Sequence, residues 1–298
     1  MSYHNAVLLQ ESVDGLNIKE DGIYVDVTFG GGGHSKEILK RLGKNGKLFA
    51  FDQDPDAINN AIDDERFVLI PENFRYISRF LRFHRIKKVD GVLADLGVSS
   101  HQFDEAERGF SIRFDGDLDM RMNQKSKISA KEIINNYSEE KLAEILFLYG
   151  ELRNSRKLAR TIVHERKNAP IETSFQLKEV LKAFLPNARE HKILAQIFQA
   201  IRIEVNEELE VLKEFLQQIP NLLNEEGRLS VISYHSLEDR LVKRFIRTGL
   251  FEGEPEKDVF GNSNEPLKKV GKLIVPPKEE IKINNRARSA KLRLATLK

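Results

Sequence analysis

Apolar and polar positions follow two different periods along the chain, and the change of period divides it. In the first hundred residues four short runs, 22–29, 47–51, 67–70 and 89–95, are rich in Val, Ile, Leu and Phe. Helical segments separate most of them, the βαβ alternation that builds a parallel sheet. Residues 96–123 then read as a loop rich in Gly, Asp and Ser, too long for an ordinary connection. Helical spacing follows. Ser138, with Glu139 and Glu140 behind it, caps a helix ending at Gly150, and a second runs over 155–168 and stops before Pro170. Thr173 and Gln176 form a capping box for a third, ending near Pro186. Residues 193–219 form one long periodic stretch, with Ile197, Ile201, Val205, Leu209, Leu212 and Leu216 at helical spacing and Pro220 closing it. The strand pattern returns at 228–234, a helix follows over 237–247, and 272–275 and 291–297 are the final strands. Residues 251–267 read as a surface loop.

This order predicts an α/β fold: a doubly wound, mostly parallel sheet interrupted after its fourth strand by an all-helical insertion. Residues 1–104 and 205–298 would form the sheet domain and residues 105–204 the insertion.

Composition narrows the chemistry. The 298 residues include no cysteine, which excludes disulfides, thiolate metal ligands and thiol catalysis. The seven histidines contain no i, i+4 pair, so no metal helix is expected. No apolar run reaches the length of a membrane span, and residues 1–10 lack the basic segment of a signal peptide; a soluble, cytoplasmic protein is expected. Lys and Arg (48) nearly balance Asp and Glu (46), but unevenly along the chain. Residues 75–88 hold Arg75, Arg79, Arg82, Arg85, Lys87 and Lys88 without an acid, and 153–167 and 267–298 are also basic. Three such runs point to an anionic polymer as partner. Arg75, Arg79 and Arg82 are expected on one helix face, with the interleaved tyrosine and phenylalanines in the core.

The strongest chemical signal is Thr28-Phe29-Gly30-Gly31-Gly32-Gly33-His34-Ser35, between the first strand and a helix, answered by Asp52 at the end of the second strand. Strand, glycine turn, helix, strand and acid make a nucleotide pocket, with the acid placed for a ribose diol. Glycine lets the backbone take positive φ and approach a ligand closely. The third glycine of a dinucleotide fingerprint is missing, since Ser35 or Lys36 stands there, and Gly33-His34-Ser35 lacks the lysine of a phosphate-binding loop. A nucleoside cofactor without phosphates fits better, S-adenosylmethionine being the common one. Ligands of such sheets bind beyond the carboxyl ends of the strands, which puts Gly30 to His34, Asp52, Asp95 and Tyr234-His235 on one rim.

Several segments resemble one family, the MraW methylases, also known as ribosomal RNA small-subunit methyltransferase H (RsmH). They are Thr28-Phe29-Gly30 with Gly32-Gly33-His34, Phe51-Asp52-Gln53-Asp54, Asp95-Leu96-Gly97-Val98-Ser99-Ser100 with Gln102, and Glu107-Arg108-Gly109-Phe110-Ser111. Leu118-Asp119-Met120-Arg121-Met122, Phe198-Gln199-Ala200, Val205-Asn206, His235-Ser236-Leu237-Glu238-Asp239-Arg240 and Arg286-Ala287-Arg288-Ser289 continue the match across the chain. The resemblance implies a Rossmann-like class I methyltransferase that methylates N4 of a cytidine in the decoding region of small-subunit ribosomal RNA. It also implies S-adenosylmethionine contacts at Gly32, Gly33, His34, Asp52, Phe74, Asp95 and Gln102, with Gly30 and Gly31 shaping the turn. The chain departs from the family's usual pattern at His101, Phe103, Tyr234 and Asn285, where proline, leucine, phenylalanine and proline are common.

Methylation of an exocyclic amine needs an acceptor for its hydrogens. Asp95, a backbone carbonyl and the groups of residues 233–236 are the candidates, and no catalytic residue is assigned. Two other functions compete: a nicotinamide oxidoreductase, opposed by the missing glycine, and a ribosome-assembly factor that keeps the fold without transfer activity.

Overall fold

The computed structural model describes residues 6–256 and 265–298. The chain forms two compact units, residues 1–97 with 209–298, and residues 98–208. Residues 257–264 of the loop expected over 251–267 lie outside the described residues, as do residues 1–5.

The first unit is built on a seven-stranded sheet of order β3-β2-β1-β4-β5-β7-β6. The strands are β1 (Ile23–Asp26), β2 (Lys47–Phe51), β3 (Phe67–Ile70), β4 (Val89–Asp95), β5 (Leu223–Ser233), β6 (Leu267–Ile274) and β7 (Lys291–Leu297). The first five pair in parallel; β7 runs antiparallel to β5 and β6 antiparallel to β7. The doubly wound, mostly parallel sheet read from the sequence is therefore the fold. The strand pattern also explains which side chains face which layer. Val25, Phe49, Phe51, Val92 and Ala94 point into one core. Their strand neighbours Tyr24, Leu48 and Leu93 point into the other, as a period of two demands.

Helices cover both faces. α1 (Leu9–Asp14) and α2 (Gly33–Arg41) supply Val13, Ile38 and Leu39 to the second core. α3 (Ile77–Phe83), α10 (Glu208–Leu222) and α11 (Ser236–Thr248) supply Ile77, Leu81, Phe215, Leu216, Val242 and Phe245 to the first. A short α12 (Lys278–Ile283) precedes β7.

The second unit is helical: α4 (Ser100–Asp104), α5 (Ala130–Asn136), α6 (Glu139–Leu148), α7 (Ser155–Glu165), α8 (Ser174–Val180) and α9 (Glu190–Asn206). It has its own core, including Ile133, Leu142, Ile145, Leu158, Ile162, Leu177, Ile197 and Ile201. The expected caps are present. Ser138 accepts from the Lys141 N–H, and Thr173 and Gln176 form the capping box of α8.

Two expectations are corrected in one stretch. The stretch 193–219 is two helices, because Glu207 takes a left-handed backbone (φ 50°) and ends α9. Arg202 spans the break with a bidentate pair to Glu208, at 2.8 and 3.0 Å. Asn206 turns its side chain to the 120–122 loop, accepting from the Met122 N–H and donating to the Met120 carbonyl. Pro220 lies within α10 rather than ending it. Among the described residues no helix is long and apolar enough to cross a membrane.

Candidate active site

Strand order reverses direction between β1 and β4. That switch point opens a crevice at the strand ends. The residues there come from the ends of β1, β2, β4 and β5.

Asp26, the last residue of β1, is fully buried. Its Oδ1 accepts from the Thr28 N–H (3.1 Å) and its Oδ2 from the Ser35 hydroxyl (2.7 Å). One carboxylate thus clamps both ends of the glycine loop, from strand exit to helix start. The Thr28 hydroxyl in turn accepts from the Asp95 N–H at 2.6 Å, tying β1 to the end of β4. Within the loop Gly30 and Gly32 have positive φ (50° and 75°), and a Cβ on Gly31 would meet nothing within 4 Å. The loop is therefore open on one side. On Gly32 a Cβ would stand 3.0 Å from the Phe29 ring, and on Gly33 2.9 Å from Ala6.

Gly32→Ala combines that crowding with a left-handed backbone, costing about 1–2 kcal/mol. Because the loop would relax away from its binding shape, nucleoside affinity is expected to drop about tenfold. Isothermal titration with the cofactor checks this.

Asp52, at the mouth of β2, holds the loop from the other side. Its Oδ2 accepts from the Gly30 N–H (2.7 Å) and its Oδ1 from the Asp54 N–H (2.9 Å). Each oxygen keeps a further lone pair for a ribose hydroxyl. Burial lifts this carboxyl to about 6, against the pull of the two N–H donors. Phe74 follows β3 and packs edge-on against Phe215, with ring centroids 5.3 Å apart. Asn73 donates to the Gln53 side chain (2.8 Å), which ties the Phe74 turn to the loop carrying Asp52.

His34 and Asp95 meet across the crevice. The His34 ring is buried, and its Nε2 lies 3.1 Å from the Val7 carbonyl. A carbonyl only accepts, so Nε2 carries a proton. The other ring nitrogen, Nδ1, lies 3.8 Å from Asp95 Oδ2. The other Asp95 oxygen accepts from the Tyr234 hydroxyl at 2.7 Å. Burial lifts Asp95 to about 6; His34 and Tyr234 lower it, while Asp26 and Glu238 raise it further. The Asp95 side chain keeps 21% of its surface open.

Six of the seven candidate residues, Gly32, Gly33, His34, Asp52, Phe74 and Asp95, thus belong to the first unit. Gln102 belongs to the second. There its Oε1 accepts from the Ser99 N–H while its own N–H donates to the Ser99 hydroxyl, completing the capping box of α4. The sequence pattern assigns no role to Asp26, Thr28, Ser35 or Glu238, which the structure places around these groups. For Asp26 a signal existed: an acid inside the apolar run Ile23-Tyr24-Val25-Asp26-Val27 needs a buried partner.

The residues present fit a nucleoside. An open glycine cradle, a carboxylate with spare acceptors and a second carboxylate facing the crevice supply a ribose site and a polar reaction site, with no phosphate-binding lysine.

A family model described as the MraW methylase family matches residues 1–298. The ribosomal RNA small subunit methyltransferase H of Christiangramia forsetii is 71% identical over 295 residues, covering 99% of this chain and 98% of that protein. The protein of the same name from Flavobacterium johnsoniae is 68% identical over 295 residues, with 99% and 98% covered. That from Bacteroides fragilis is 56% identical over 298 residues, with 100% and 98% covered. With the glycine cradle and both strand-end carboxylates in place, the chain belongs to the MraW methylase family.

Proposed function

We propose that the protein methylates N4 of a cytidine in the decoding region of small-subunit ribosomal RNA, in the cytoplasm. The cofactor is S-adenosylmethionine, which supplies an electrophilic methyl group on a positively charged sulfur. The observation that carries the N4 reading is the strand-end carboxylate of Asp95, whose Oδ1 is taken by Tyr234 and whose Oδ2 faces His34 Nδ1 at 3.8 Å. A carboxylate oxygen in that place accepts, and an exocyclic amine has two hydrogens to give. The identity to relatives named as small-subunit rRNA methyltransferases supports the RNA substrate.

In this reading Gly32 and Gly33 let the backbone approach the amino-acid part of the cofactor, Asp52 accepts from its ribose, and Phe74 packs on its base. The family resemblance adds Gln102 to the cofactor contacts, and the insertion read as residues 105–204 serves substrate recognition. His34 and Asp95 orient the amine, and Asp95 Oδ2 takes the proton it sheds. Holding the amine in line with the methyl removes much of the entropic barrier. The cytidine reaches the crevice only when unstacked.

The basic run 75–88 supports RNA binding, with corrections. Arg75 lies outside α3 and is engaged by Glu214, its Nε donating at 2.8 Å. Arg79 and Arg82 stay exposed on α3, and Phe83 is 80% exposed beside them rather than in the core; Tyr76 is also exposed. Two cations and an open aromatic ring suit phosphates and an unstacked base. The Arg79→Glu, Arg82→Glu double variant is expected to bind rRNA more weakly and to flatten the log–log salt dependence by about 1.5. Filter binding across a salt series checks it, and an unchanged slope removes α3 from the RNA surface.

Labelled S-adenosylmethionine incubated with small subunits, and separately with naked rRNA, followed by nucleoside separation, tests the whole reading. Label is expected in N4-methylcytidine. Its absence from that nucleoside with both substrates refutes the assignment.

A further inference from the structure

Tyr234 ends the segment after β5, and its backbone and side chain are both held. Glu238, buried in the first turn of α11, accepts from the Tyr234 N–H at 2.9 Å through Oε2. At the other end the phenol donates to Asp95 Oδ1 at 2.7 Å. Asp95 is held from behind as well, since its N–H donates to Thr28 Oγ1. With backbone and Oδ1 both fixed, the carboxylate plane is set, and Oδ2 is the oxygen left toward His34 Nδ1.

We infer that Tyr234 is a positioning residue for the methyl-transfer step, orienting Asp95 so that only Oδ2 receives the proton of the amine. This rests on the reading of Asp95 as the proton acceptor. The step balances. The amine nitrogen bonds the methyl carbon, the carbon–sulfur pair returns to sulfur, and the nitrogen releases one proton to Oδ2, leaving a neutral secondary amine and a neutral carboxylic acid. The phenol keeps its own proton throughout, because burial and the Asp95 and Glu238 charges hold its pKa well above the ordinary value.

The groups facing Asp95 fix the direction of the pH effect. Burial is the largest influence and raises its pKa. His34 of α2 and the Tyr234 hydroxyl favour the carboxylate, whereas Asp26 of β1 and Glu238 of α11 disfavour it. Tyr234→Phe removes one favouring partner and leaves the others, so the Asp95 pKa must rise.

Transfer rates of the wild type, Tyr234→Phe and Asp95→Ala, measured from pH 5 to 9 with saturating cofactor and RNA, test the inference. Tyr234→Phe is expected to lower kcat about tenfold and to move the acid limb of the profile upward by about one pH unit, with KM for the cofactor nearly unchanged. A merely structural tyrosine would lower activity at every pH and leave the limb in place. If Asp95→Ala abolishes the limb but Tyr234→Phe leaves it unmoved, the positioning role fails and the acceptor stands. If Asp95→Ala keeps the wild-type rate and limb, the acceptor reading fails, and the positioning role with it. A thermal melt of Tyr234→Phe within a few degrees of the wild type shows that the variant is folded.

Discussion

Methyl transfer by the Asp95→Ala protein is expected to fall by about 10²–10⁴-fold, the range for loss of a positioned general base. The loss should appear in kcat, with cofactor affinity changed by no more than about tenfold. The reason is the division of labour between the oxygens. Oδ1 is committed to Tyr234 and Oδ2 faces His34 across 3.8 Å, so neither is needed to shape the glycine cradle. The cradle instead hangs on Asp26 and Asp52. The pH profile carries the same signature. With Asp95 lifted to about 6, the wild-type rate should rise with pH through that value as the carboxylate ionises and then level off. Single-turnover assays with bound cofactor separate chemistry from binding. A rate within threefold of the wild type would show that Asp95 does not take the proton.

The largest structural effect is expected from Asp26→Ala. The side chain has no exposed surface and satisfies two donors, the Thr28 N–H and the Ser35 hydroxyl. Removing it orphans both in a buried site, at about 1–3 kcal/mol each. Burial already opposes ionisation of Asp26, and its pKa is raised. Part of the loss is therefore returned when the alanine variant no longer has to hold that charge. A net fall in melting temperature of roughly 5–15 °C is expected for a protein of this size. Saturating cofactor should recover some of it, since binding selects the ordered loop. Calorimetric scans with and without cofactor measure both numbers, and a melting temperature unchanged in the absence of cofactor would show that the clamp contributes nothing.

The strands were readable because each carries an apolar run bounded by polar turns. β2, β3 and β4 coincide with the stretches read from the pattern. β6 begins earlier than expected, because Lys268, Lys269 and Lys272 on an exposed outer strand break the apolar signal. The division of 193–219 into α9 and α10 was hidden for the opposite reason: Val205 and Leu209 keep helical spacing across the turn at Glu207. At the break the Glu207 backbone sits at φ 50°, Arg202 and Glu208 bridge it, and Asn206 is held by the distant Met120 and Met122 backbone. At the site, Gly32, Asp52 and Asp95 could be read because glycine and strand-end acids have few other uses in that order. The Tyr234–Asp95 bond joins residues 139 apart in sequence, and no local pattern encodes such a contact.

The helical unit interrupts the sheet between β4 and β5, and this bears on how the chain is made. β4 is an inner strand of the finished sheet, yet its partner on one side is encoded far downstream; Asn224 of β5 bonds Asp90 of β4 across 134 residues. A ribosome adding about 5–20 residues per second leaves the exposed side of β4 without its neighbour for on the order of ten seconds. During that interval residues 98–208 emerge in full, with their own apolar core to collapse around. The nascent sheet must wait with Val92, Leu93 and Ala94 at a bare edge, the kind of surface that invites mispairing. Newly made chains should therefore depend on chaperones most strongly between completion of β4 and emergence of β5, a window that ribosome profiling of chaperone-bound nascent chains can locate.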